Sequence, residues 1–396
     1  MKINIKKITA FMLAGALACS VLSGCSKDDS SSSKNNSSNN QNLNADGVIM
    51  NKENVKLAGR TTLIEDTLWF GLSGAGVEFE FTGKKLDMTI VGDGAAFGDA
   101  NNQARFAIYV DGERVIDKML DEEEMVVTPV DNAESKTVTV KVIKLSETAM
   151  STMGIKPIKL QEGEKITPVA QKELKIEFIG DSITCGYGVD DEVKENHFAT
   201  TTEDVTKTYA YKTAQALDAD YSMFSISGYG IISGYSSNGK KVPEQALPQY
   251  YGKLGYSWNK FAEVSAPNEV DWDFSNYQPN IIVINLGTND STYCKGDEKK
   301  QEYVDAYKEF LKQVREANPN AEIFCTLGIM GANLYSSVEE VCYNYTEETG
   351  DSKVHPFKFD TQDGTLGYAA DWHPTEATHE KSSQSLVEFI KETMGL

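Results

Sequence analysis

Two patterns of apolar positions divide the chain. Between about Gly47 and Gly163 the period is two: Val77, Phe79 and Phe81 alternate with polar residues, as do Leu86, Met88 and Ile90, then Phe106, Ile108 and Val110, then Val138, Val140 and Val142. Residues two apart on an extended strand share a face, so each set predicts a strand with one buried side. Turn signals fall at Thr82-Gly83, Gly92-Asp93-Gly94 and Asp111-Gly112, and no helix of useful length is visible. An antiparallel, jelly-roll-like β-sandwich is expected over residues 47–165.

From Glu173 the grammar changes to strand, loop and helix in alternation. Strands are expected at Leu174 to Ile179, Asp220 to Ile226, Asn280 to Leu286, Glu322 to Leu327 and Val354 to Phe359. The clearest helix is Glu302 to Ala317, where Tyr303, Tyr307, Phe310, Leu311 and Val314 recur on one face. A closing helix from Pro374 to Met394 keeps Leu386, Phe389 and Ile390 together. Such alternation predicts a three-layer α/β/α domain with a mainly parallel sheet over residues 172–396, joined to the first domain by Glu162 to Lys172. A length of 396 residues fits two domains.

The beginning of the chain obeys neither pattern. Lys2, Lys6 and Lys7 precede an apolar run from Ile8 to Leu22, too short to span a membrane and flanked like an export signal. It ends in Leu22-Ser23-Gly24-Cys25, which resembles the bacterial lipoprotein cleavage box. A signal peptide over residues 1–25 is therefore expected, with a lipid on Cys25 holding the mature chain at the outer cell surface. Residues 26–46 are almost only Ser, Asn, Asp, Lys and Gln and cannot repay ordering entropy. They predict a disordered stalk with a reach of roughly 25 Å. The net charge of −21, near −24 once the signal lysines are removed, makes nucleic acid and anionic lipid poor partners. Membrane contact is expected only through the lipid. Beyond Cys19 and Cys25, the cysteines Cys185, Cys294, Cys325 and Cys342 show no metal-type spacing and sit in core-like runs, so free thiols are favoured.

The chemistry gathers around Ile176 to Gly188, IEFIGDSITCGYG. A β-branched and aromatic run breaks at Gly180 and delivers Asp181 and Ser182 into a turn at the carboxyl edge of the predicted sheet, where open α/β sheets bind ligands. A serine hydroxyl needs a base to take its proton and donors to meet the developing oxyanion. The chain has four histidines: His197, His355, His373 and His379. His373, in Ala-Asp-Trp-His-Pro-Thr ahead of the last helix, is the leading base. His197 lies in a polar insertion without a partner motif, and His379 is expected on the solvent side of its helix. The second and third strands run into Ser227-Gly228-Tyr229-Gly230 and Gly287-Thr288-Asn289-Asp290, offering a glycine amide and an asparagine side chain. Each also has a plainer role: Ser182 as a helix cap, Asn289 in an Asx turn, Gly228 for backbone freedom, Asp181 and Asp290 as loop braces.

Gly-Asp-Ser-Ile-Thr, the glycine after the second strand, Gly-Thr-Asn-Asp and Asp-Trp-His-Pro-Thr resemble the four blocks of the SGNH, or GDSL, hydrolases. With the preceding β-domain the chain resembles carbohydrate esterase family 2, whose members remove acetyl groups from plant polysaccharides. The resemblance implies Ser182 as nucleophile, His373 as base, and an oxyanion hole from the Ser182 and Gly228 amides and the Asn289 side chain. It implies no metal or cofactor, and an acetylated polysaccharide or oligosaccharide as partner. The family's usual acid lies three residues before the histidine, which here is Ala370. Asp371, two before, either turns to orient the imidazole or leaves that to a backbone carbonyl. Trp372 and Tyr235 are the expected glycan contacts, whereas Tyr187 and Tyr229 are expected in the core. Two other readings stay open: an SGNH esterase or acetyltransferase on another ester, and a surface lipoprotein that binds glycan through its β-sandwich.

Overall fold

The computed structural model describes residues 47–396, together with the backbone of Leu43 and Asn44. The expected signal peptide, Cys25 and the stalk therefore lie outside the described residues. Strands β1 (Leu43–Asn44) and β2 (Gly47–Val48) pair as a short antiparallel ladder. The N-terminal domain follows with β3 (Lys56–Ala58), β4 (Thr61–Ile64), β5 (Thr67–Phe70), β6 (Gly76–Gly92), β7 (Ala104–Val110), β8 (Glu113–Leu120), β9 (Glu124–Lys144), β10 (Met153–Ile155) and β11 (Lys165–Pro168). All nine pair antiparallel in one hydrogen-bonded network, rather than as two separately bonded sheets. The long strands explain this. One edge of β6 takes β3, β11 and β10 in succession, and its other edge runs along β9.

The expected turn at Thr82-Gly83 is not a turn; β6 continues through it. Burial in β6 falls on Val77, Phe79 and Phe81, then on Leu86, Met88 and Ile90. That alternation slips by one residue at the exposed pair Lys84-Lys85, where the register with β9 also shifts. A register irregularity re-aims side chains without ending the strand. Asp111-Gly112 does turn the chain, with both residues at positive φ, between β7 and β8.

The second domain carries a five-stranded parallel sheet in the order β13-β12-β14-β15-β16: β12 (Lys175–Gly180), β13 (Asp220–Ser225), β14 (Ile281–Asn285), β15 (Glu322–Ile329) and β16 (Val354–Thr361). Its helices are α1 (Ser182–Cys185), α2 (Tyr209–Ala216), α3 (Asp290–Tyr293), α4 (Asp297–Ala317), α5 (Tyr335–Thr349) and α6 (Glu376–Met394). In α4 the aromatic and aliphatic stripe, Tyr303, Tyr307, Phe310, Leu311 and Val314, is the buried face. His379 is a correction to the expected solvent-facing position. It is buried against α2, and its Nδ1 accepts the Tyr209 amide at 3.1 Å. Ser383, one turn on, bonds Thr213 of α2.

The core does not stop at the domain boundary. Ala107, Ile143 and Leu145 of the first domain pack in one cluster with Phe178, Tyr209 and Met223 of the second. Polar contacts cross it as well. Arg60 is fully buried; it pairs with Glu177 of β12 at 3.0 Å and lies 4.2 Å from the Phe224 ring centroid. The four cysteines Cys185, Cys294, Cys325 and Cys342 are buried free thiols.

Candidate active site

Ser182 opens α1 directly beyond β12. Asp181 caps this helix, its carboxylate accepting the Ile183 amide at 3.0 Å, and Gly186 ends it in the left-handed region. Gly180 permits the turn: a Cβ there would stand 2.1 Å from Thr184 Oγ1, so only glycine lets the helix fold back over the strand end. The serine is 8% exposed, at the carboxyl edge of the sheet.

His373 meets it from the other end of the chain, Nε2 2.9 Å from Ser182 Oγ. The other ring nitrogen, Nδ1, is 3.1 Å from the carbonyl oxygen of Ala370. A carbonyl only accepts, so Nδ1 carries the proton and Nε2 presents a lone pair to the serine hydroxyl. Burial disfavours the imidazolium and holds the His373 pKa down to about 4.

The Asp371 carboxylate makes no hydrogen bond to His373. It accepts from the Tyr187 hydroxyl at 2.5 Å and from His197 Nδ1 at 2.8 Å. Burial would raise its pKa, but these two donors outweigh that and keep the carboxyl below its usual range. The backbone explains the direction: Asp371 and Trp372 both sit at positive φ, 47° and 63°, so the chain turns Asp371 away from the imidazole. Consecutive non-glycine residues in that region carry strain of the kind that clusters at functional sites.

The adjacent strands supply the donors. Ser227 and Gly228 follow β13, and Asn289 follows β14, the two neighbours of β12. The Ser182 and Gly228 amides donate to no acceptor among the described residues. Gly228 has φ +82°, and nothing lies within 4 Å of where its Cβ would be. Asn289 Nδ2 donates to Tyr229 O at 2.8 Å and to Asp181 Oδ2 at 3.2 Å, which puts it between the glycine loop and the serine turn. Asp290 accepts the amides of Ile231, Ile232 and Ser233, bracing that loop; burial still pushes its pKa up to about 6. Burial likewise raises Asp181 to about 7.

Trp372, beside His373, is half exposed, with the Lys194 ammonium 4.1 Å from its ring centroid. Tyr235 is exposed, and its amide donates to Gly228 O at 2.8 Å. Tyr229 is buried. Tyr187, expected in the core, instead stacks on His373 with ring centroids 3.9 Å apart and planes 16° apart. Its position five residues after the serine, past the left-handed turn at Gly186, was the available signal. His197 joins the site through Asp371, and nothing in its polar surroundings announced this. Glu147 of the first domain accepts the Ser227 amide at 2.9 Å, again without a sequence signal.

A serine and histidine in bonding distance at the carboxyl edge of a parallel sheet, with vacant amide donors beside them, define a site built for acyl transfer. The model of the GDSL-like lipase/acylhydrolase family matches residues 178–381, and that of the carbohydrate esterase 2 N-terminal domain matches residues 57–169. The chain belongs to the GDSL-like lipase/acylhydrolase family, in the form that defines carbohydrate esterase family 2. It is 32% identical over 343 residues to a cellulase/esterase of Acetivibrio thermocellus, a match that covers 82% of this chain but only 37% of that protein. It is 24% identical to an acetylxylan esterase/glucomannan deacetylase of Cellvibrio japonicus, across 86% of this chain and 89% of the relative. Among solved structures, an acetyl xylan esterase from the rumen bacterium Butyrivibrio proteoclasticus superposes with a TM-score of 0.77 at 25% identity, covering 87% of this chain and 96% of that one. A family two carbohydrate esterase from Clostridium thermocellum in complex with cellohexaose gives 0.74 at 30% identity, covering 86% and 99%.

Proposed function

We propose that this protein removes acetyl groups from O-acetylated plant polysaccharides of the xylan or mannan type. The observation that carries the reading is the 2.9 Å contact from Ser182 Oγ to His373 Nε2, with the tautomer set by Ala370 O. Ser182 Oγ attacks the acetyl carbonyl carbon while its proton passes to His373 Nε2. The carbonyl oxygen becomes an oxyanion, met by the Ser182 and Gly228 amides and by Asn289, whose longer bond to Asp181 is the one the oxyanion competes for. As the C–O bond to the sugar breaks, His373 returns the proton to the leaving alkoxide, and an acetyl-serine remains. Water, deprotonated by the same imidazole, then attacks the acetyl carbon; the bond from that carbon to Ser182 Oγ breaks, His373 returns the proton to Oγ, and acetate leaves. Each donor that meets the oxyanion is worth about 3 kcal/mol of transition-state stabilisation. Trp372, next to His373 in the chain, and Tyr235, whose amide bonds Gly228 O, are exposed aromatics of the kind that stack on pyranose rings. The likeness to the acetylxylan esterase/glucomannan deacetylase of Cellvibrio japonicus supports the substrate class.

Acetate release from acetylated xylan and acetylated mannan, measured for wild type and Ser182→Ala side by side, tests this. Wild type is expected to release acetate, and the variant to fall by several orders of magnitude. No release from either polymer would remove the polysaccharide assignment.

We further propose that the chain is exported and lipid-anchored at Cys25, a reading supported by Leu22-Ser23-Gly24-Cys25. In a bacterial host fed labelled palmitate, wild type should incorporate label and Cys25→Ser should not. Equal labelling of the two proteins contradicts the anchor.

A further inference from the structure

We infer that Glu147, a residue of the N-terminal domain, positions the oxyanion hole of the hydrolase domain. The inference rests on the esterase reading given above. From the last residue of β9, the segment 144–152 reads Lys-Leu-Ser-Glu-Thr-Ala-Met-Ser-Thr, and Lys144, Ser146, Glu147, Thr148, Ser151 and Thr152 are all fully buried. Backbone bonds seat it in the second domain on both sides of Glu147: Leu145 O accepts the Val205 amide at 3.2 Å, and Ala149 O accepts the Trp258 amide at 3.1 Å.

At the centre of the segment, Glu147 Oε2 accepts the Ser227 amide at 2.9 Å. Ser227 immediately precedes Gly228, the glycine whose vacant amide faces the reacting carbonyl in the proposed mechanism. A glycine at φ +82° with no side chain to pack is the loosest kind of backbone position, so its amide points reliably only if the peptides around it are held. Two bonds do this. Glu147 takes the N–H one residue before Gly228, and the Tyr235 amide takes the Gly228 carbonyl at 2.8 Å. A clamp serving only to join the domains could bond anywhere on the hydrolase surface, as Arg60 does at Glu177 within β12. This one is applied to the turn that forms the hole.

A buried carboxylate needs compensation. Glu147 Oε2 has the Ser227 amide, Glu147 Oε1 has no hydrogen-bond partner among the described residues, and the surrounding cluster fixes the Glu147 backbone. The Glu147 amide donates to Glu203 Oε2 at 2.9 Å, which fixes the Glu147 backbone from the hydrolase side. The fully buried Lys144 ammonium donates to Ser146 O at 2.8 Å and Glu147 O at 2.7 Å. Burial raises the pKa of both Glu203 and Glu147 and lowers that of Lys144 to about 8, the three groups sharing one buried cluster. In this arrangement the first domain is a working part of the esterase site.

The test uses the full chain and 4-nitrophenyl acetate, a substrate with no glycan to bind, with Glu147→Ala, Glu147→Asp, Glu147→Gln and Ser182→Ala assayed together. Alanine removes the acceptor and aspartate is one methylene short of Ser227; both should lower kcat about tenfold or more with KM within about twofold, short of the loss for deleting a donor outright. Glutamine keeps an acceptor oxygen at the same reach and should bring kcat back to within about threefold of wild type. Rates are referred to folded protein, followed by thermal melting; if Glu147→Ala does not fold, the aspartate and glutamine variants carry the comparison. Aspartate turning over like wild type overturns the inference, as does a folded glutamine variant no faster than aspartate. Ser182→Ala that retains activity would instead overturn the esterase reading itself, whatever the Glu147 variants do.

Discussion

A carbonyl oxygen has no proton to give, so the 3.1 Å contact between Ala370 O and His373 Nδ1 leaves the imidazole a single productive tautomer without help from a carboxylate. Asp371 is engaged by Tyr187 and His197. Asp371→Ala should therefore lower kcat on an acetyl ester only a few-fold, and a loss of a thousandfold or more in steady-state assays would show that the carboxylate acts on the imidazole. The pH profile follows from burial. The base works only when neutral, and burial lowers its pKa to about 4, so the neutral form is already present at pH 5 and persists above it. The acid limb of kcat/KM for acetyl ester hydrolysis should lie near pH 4, well below the unperturbed imidazole value of about 6.5. A midpoint at that unperturbed value would contradict the buried environment. The sequence left two ways of orienting His373 open, the Asp371 carboxylate or a backbone carbonyl. That the carbonyl is Ala370's could not be read, because a carbonyl has no sequence signature and the left-handed turn at Asp371 and Trp372 is set by the fold around it.

At the scale of elements, periodicity served well wherever a face is buried along its whole length. The stripe of α4 and the apolar strands of the parallel sheet fall within a few residues of where the pattern puts them. It misled where one residue type serves two purposes. Thr82-Gly83 has turn chemistry yet lies within β6, because pairing with β9 and β11 holds both its edges. The segment 144–152 carries no apolar period, yet it is buried except at the half-buried Met150, and Glu147 bonds Glu203 and Ser227 dozens of residues away. His379 looked like a surface residue on an amphipathic helix until α2 packed against it.

At the scale of the whole molecule, the two domains share core clusters and exchange buried charges, and Arg60 makes one such exchange. It donates to Tyr251 O and Lys253 O, pairs with Glu177, and lies against Phe224. Removing one partner of a buried pair leaves the other charge uncompensated, which costs about 3 to 5 kcal/mol. Arg60→Ala should lower the urea midpoint accordingly, while the protein that remains folded keeps its specific activity; an unchanged midpoint would show the pair to be inert. The sequence by itself determined the order of the two folds, the strand ends that bear Ser182, Gly228, Asn289 and His373, and the family, because periodicity and strand-end glycines are local consequences of backbone geometry. Only the tertiary structure decided what orients His373, where Asp371 turns, and that Glu147 of the first domain reaches the site. Those outcomes depend on backbone carbonyls, left-handed turns and burial by distant segments, and none of these is written in the residues nearby.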